Sequence, residues 1–70
     1  MAYNIVRKQD DRRTVMFTYA KRAEAKAALK AMSDKILEAK PTRHLFRPDG
    51  LMLSVLINGQ IITVWIEQSA

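Results

Sequence analysis

Hydrophobic residues recur along the chain with a period of two in several short stretches and with a helical period in one. Tyr3 to Lys8 reads as a strand, with Tyr3 and Ile5 on one face and Val6 on the other. Thr14 to Ala20 is a second strand, rich in β-branched and aromatic residues. Its alternation predicts Val15, Phe17 and Tyr19 on one face and Thr14, Met16 and Thr18 on the other. The polar segment Gln9 to Arg13 between them predicts a hairpin loop. Lys21 to about Ala39 is dense in Ala, Leu, Lys, Glu and Met, the residues that lose least on entering a helix. Ala25, Ala28, Leu29, Met32 and Ile36 form one apolar stripe on that helix. No good cap precedes it, and Pro41 closes it, because the residue before a proline avoids helical angles.

The remainder predicts a meander of three strands. Arg43 to Arg47 is short and ends at Pro48-Asp49-Gly50, which suits a three-residue loop with a bulge. Leu51 to Ile57 and Gln60 to Glu67 flank Asn58-Gly59, a strong hairpin signal that also sets the register. Ile57 should oppose Gln60, Val55 Ile62, Leu53 Val64 and Leu51 Ile66, all on one face. The other face pairs Leu56 with Ile61, Ser54 with Thr63 and Met52 with Trp65. The expectation is a single small α+β domain over residues 1–70, an antiparallel sheet with one helix packed on one face, in the order β-β-α-β-β-β.

One helix cannot cover both faces of a sheet. Met52, Leu56, Ile61 and Trp65 therefore stand on a face with no cover of its own, where an antiparallel sheet normally turns polar residues to water. Met16 is a candidate to join them. An exposed apolar patch of that kind points to an interface, with a protein partner, with a second copy as a homodimer, or with a nucleic-acid base stacked on Trp65. The competing expectation is that strong sheet curvature or the N-terminal hairpin folding over buries this face internally, as in a small barrel.

Composition narrows the class. Hydrophobic residues make up 49% of the 70, with two glycines and two prolines, the profile of a folded domain. There is no cysteine, so disulfides do not assist the fold and a structural zinc site has one histidine at most. No apolar run is long enough to span a bilayer, and the N-terminus lacks the pattern of a signal peptide, so a cytoplasmic location is expected.

Charge raises a second possibility. Lys and Arg number 12 against 7 Asp and Glu, a net charge of +5 with a pI near 10.0, which favours encounters with polyanions. Arg22, Lys26, Lys30 and Lys40 lie along one flank of the helix stripe, with Ser33 and Leu37 among them. Arg43 and Arg47 flank Leu45 on their strand, while His44 and Phe46 share the opposite side. These six cations are the candidate nucleic-acid contacts. Arg12 and Arg13 are weaker candidates, because Asp10 and Asp11 beside them can neutralise them locally.

Catalysis has little to stand on. His44 is the sole general base near neutral pH, no serine sits in a nucleophile motif, and Gly50 and Gly59 are each used in a turn rather than in a phosphate-binding loop. No cofactor motif is present, and the reading is of a protein that is not an enzyme.

In length, cysteine poverty and element order the chain resembles small phage-encoded anti-CRISPR proteins, several of which are a small antiparallel sheet with one helix. The resemblance spans the whole chain as element order alone, and no motif transfers a residue role. It implies inhibition without catalysis, by occupying a surface that a host nucleoprotein complex uses for nucleic acid. The basic charge departs from the acidic, nucleic-acid-mimicking members. The sequence thus predicts a non-enzymatic binding protein acting by surface contact on a nucleic-acid-handling partner. A direct nucleic-acid binder through the helix edge and a homodimeric interaction module are the alternatives.

Overall fold

The computed structural model describes residues 2–69. The elements are β1 (Ala2–Gln9), β2 (Arg12–Tyr19), α1 (Arg22–Glu38), β3 (Arg43–Phe46), β4 (Met52–Ile57) and β5 (Gln60–Ser69). The order β-β-α-β-β-β and the α+β class hold. The strands form one open sheet in the order β2-β1-β5-β4-β3, and every pairing is antiparallel. The first and last strands meet at the centre, where Ile5 pairs with Ile66 and Val6 with Trp65. The expected register of the Asn58-Gly59 hairpin is found, from Ile57 opposite Gln60 to Met52 opposite Trp65.

The turns follow from backbone conformation. Asn58 and Gly59 both take positive φ, 51° and 76°, the twist that matches two flanking strands. The first hairpin is tighter than the sequence suggests. Gln9 pairs with Arg12, and Asp10 and Asp11 alone make the turn, at φ 52° and 65°. Aspartate tolerates this left-handed region better than most residues, which lets a two-residue loop form without glycine. Between β3 and β4, the Gly50 amide donates to the Arg47 carbonyl at 2.9 Å, and Asp49 accepts from the Leu51 amide at 3.0 Å. The C-terminal end of the helix is closed by Lys40 in the left-handed region just before Pro41.

One face of the sheet packs on α1. Ile5, Leu53, Val55 and Val64 meet Leu29 in a core that Tyr19, Ala28, Met32, Ile36, Phe46, Ile62 and Ile66 border. The predicted stripe is the buried one, and Ala25 lets the helix lie close to the strands. Burying each large aliphatic side chain of this core contributes about 1.5–3 kcal/mol.

Two sequence expectations change. Ser33, assigned to the basic flank, is buried and shares a 2.8 Å hydrogen bond with His44 Nε2. Val15, Phe17 and Tyr19 do not share a face. The pairing slips between Ile5–Phe17 and Val6–Val15, leaving Met16 without a partner in β1. This bulge puts Phe17 and Tyr19 on the helix side with Ile5, and Val15 on the far side with Val6 and Trp65.

Candidate binding face

The face opposite α1 can be read as rows running across the strands. Arg43, Leu56 and Ile61 form the first row, because Arg43 pairs with Leu56 and Leu56 with Ile61. Leu45, Ser54, Thr63, Lys8 and Arg13 form the second. Met52, Trp65, Val6 and Val15 form the third, and Glu67, Asn4 and Thr18 the fourth. Over β4, β5 and β1 apolar rows thus alternate with rows of smaller or polar side chains, while β3 reverses the pattern with Arg43 in the first row and Leu45 in the second. The expected set Met52, Leu56, Ile61 and Trp65 is brought together on this face, in the first and third rows.

The two halves of the face differ in how they are finished. Over β1, Arg13 on β2 reaches Glu67 on β5, with Nη2 2.7 Å from Oε1 and 2.8 Å from Oε2, and Nε 3.2 Å from Oε2. Trp65 Nε1 donates to the same carboxylate at 2.9 Å. Arg13 pairs across from Lys8 and Glu67 across from Asn4, so the bridge passes over Val6, which is 0% exposed. The Arg13 hydrogen bond holds the Glu67 carboxyl below the usual carboxylate range; the Trp65 hydrogen bond adds to this and partial desolvation opposes it. The expectation that the neighbouring aspartates would neutralise Arg13 gives way to this cross-strand pair.

Among the described residues, nothing closes the other half. Leu45 and Ile61 are 57% and 65% exposed, and with Arg43, Ser54 and Leu56 they line a shallow groove of about 520 Å³ beside β3. The trough exists because Ser54 is small and stands between the larger Leu45, Leu56 and Ile61. The barrel-like alternative does not form: the N-terminal hairpin extends the sheet as β1 and β2 rather than folding across it.

The six candidate cations are split between the two sides. Arg22, Lys26 and Lys30 recur at four-residue spacing on exposed positions of α1. Lys26 lies along the β3–β4 turn, where an added methyl on Gly50 would come 3.1 Å from its Cε. Lys30 pairs with Asp34 at 3.1 Å and stands 6.0 Å from the Phe46 ring centroid. Arg47 pairs with Asp49 at 2.6 Å, and Lys40 sits in the loop after the helix. Arg43 is on the opposite face, in the groove, and no ion pair engages it among the described residues. His44 turns to the helix side through its bond to Ser33.

The described residues hold no group of three His, Cys, Asp or Glu side chains placed to bind a metal ion, and no helix among them is long and apolar enough to cross a membrane. Comparison with known protein families, curated proteins and solved structures finds no match for the chain.

Proposed function

We propose that this chain is a non-enzymatic binding protein that acts by surface contact on a protein component of a nucleic-acid-handling assembly. The observation that carries this reading is the uncovered apolar groove of Leu45, Leu56 and Ile61, on the face that α1 leaves free. Large aliphatic side chains exposed together are a feature of docking surfaces. The same face offers stacked bases a single aromatic ring, Trp65, which is half-buried beside the Arg13–Glu67 pair. The net charge of +5 and the exposed Arg22 and Lys26 on the other side favour approach to an assembly that carries polyanion.

A second reading, direct binding of a phosphate backbone along α1, is supported by Arg22 and Lys26, which join none of the ion pairs among the described residues. Capture from cells of the source, followed by mass spectrometry, separates the two. The first reading expects a protein retained by the wild type and by an Arg22→Glu, Lys26→Glu variant, and lost with Ile61→Glu. The second expects the reverse dependence, together with binding to generic DNA or RNA that falls steeply with salt.

A further inference from the structure

We propose that the free edge of β3 accepts an extended strand from a protein partner, and that Arg43 and the exposed side chain of Leu45 select a strand carrying a carboxylate and an apolar side chain on one face. This rests on the protein-docking reading above and names the form and chemistry of the partner segment.

The sheet has two free edges, and they are not equivalent. The β2 edge is interrupted by the bulge at Met16, which places Val15 and Phe17 on opposite faces. A bulge is one of the usual protections of an edge against strand addition, and cations border both edges. The β3 edge has no bulge within Arg43–Phe46 and no proline inside the strand. The Arg47 amide donates inward to the Met52 carbonyl at 3.0 Å. By alternation Leu45 and Arg43 also turn their backbone groups toward β4, and His44 and Phe46 turn theirs outward, where no strand lies among the described residues; just before the strand the Thr42 amide donates inward as well, to the Leu56 carbonyl at 2.8 Å. An added strand would bond there through its main chain, while its alternate side chains fall beside Arg43 and Leu45.

Those two positions define what the added strand carries. Leu45 is 57% exposed, and an added strand meets its outer flank, the side away from β4, which takes an apolar side chain. Beside Arg43 lies a guanidinium in no ion pair of the described residues, whereas Arg13, Lys30 and Arg47 each have a carboxylate. A carboxylate two positions from the apolar side chain completes the pairing. A second copy of this chain fits poorly. The antiparallel register centred on Leu45 sets Arg43 opposite Arg47 of the other copy, and like charges directly opposite are destabilising.

The test is an NMR titration of the ¹⁵N-labelled intact protein with a synthetic peptide, acetyl-Thr-Val-Thr-Leu-Thr-Glu-Thr-amide, at up to millimolar concentration. Two control probes are the same peptide with Lys for Glu and a single-stranded oligothymidylate. The proposal expects the His44 and Phe46 amides and the Leu45 methyls to shift with the Glu peptide. It expects Arg43→Glu to invert the preference between the Glu and Lys peptides, each by about ten-fold in affinity. Three results would overturn it: no shift at His44 and Phe46 with either peptide, an unchanged preference in folded Arg43→Glu, or the oligonucleotide moving those amides more strongly than the peptide. Shifts confined to the Met52 and Trp65 side chains would overturn strand addition while leaving the docking reading in place. A protein retained in the capture experiment after Ile61→Glu would remove the docking reading itself.

Discussion

Arg13 and Glu67 meet across β1, two strands apart, and Val6 lies fully buried beneath them on the face that no helix covers. A chain with one helix has thus finished half of its second sheet face with an ion pair and an indole, and has left the other half apolar and open. The contrast sets the open half apart as the proposed docking surface.

The bridge predicts an acid-sensitive component of stability. The folded Glu67 carboxyl is held below its ordinary value, so its contribution is present above the unfolded-state value and is lost as pH falls through the folded one. Urea midpoints should therefore decline on acidification below the ordinary carboxylate range. Glu67→Gln should be less stable than the wild type at neutral pH and should decline less steeply in acid. Parallel pH curves for the two proteins would contradict the assignment.

The first hairpin is open to improvement. Asp10 and Asp11 both occupy left-handed angles, and neither residue adopts them as readily as glycine. Replacing the pair with asparagine followed by glycine, through Asp10→Asn and Asp11→Gly, should raise stability by up to about 1 kcal/mol in equilibrium denaturation. A loss of stability would mean that the turn is not held as described.

The core is small and depends on the helix. Leu29 is completely buried among Ile5, Leu53, Val55 and Val64. Leu29→Ala should cost about 2–5 kcal/mol, against a total of roughly 4–10 kcal/mol expected for a domain of this length. Circular dichroism with urea should show a large drop in midpoint or an unfolded protein. A near-normal midpoint would show that α1 contributes little to the core.

Ser33 and His44 are a smaller and more local case. Removing the hydroxyl with Ser33→Ala should cost about 1 kcal/mol, because half-buried His44 can recover part of the bond from water. The His44 ring resonances should shift in NMR spectra of the same variant. Unchanged His44 resonances would contradict the contact.

What the sequence made legible was whatever its local patterns encode. Asn58-Gly59 specifies a turn and with it the register of β4 on β5, so the membership of Met52, Leu56, Ile61 and Trp65 in one face follows from alternation alone. The α1 stripe follows from spacing in the same way. Four features lay beyond local pattern. No glycine or proline marks the bulge at Met16, so the faces of β2 could not be divided correctly. Ser33 sits among lysines and looks solvated until its partner on β3 is in place. Arg13 stands beside two aspartates, and its true partner Glu67 is brought near only by the strand order β2-β1-β5. The groove is also a tertiary product, since Leu45 joins Leu56 and Ile61 only when β3 pairs with β4.

The claim that the open half of the sheet is a protein-docking face is tested most directly by site-specific photocrosslinking in cells of the source. A benzophenone amino acid would be placed singly at Leu45, at Ile61, at Arg22 and at Lys26. The account predicts that Leu45 and Ile61 crosslink to one and the same protein, while Arg22 and Lys26 do not reach it. Crosslinks to a protein from Arg22 and Lys26 alone, or to nucleic acid from Leu45 and Ile61, would contradict it.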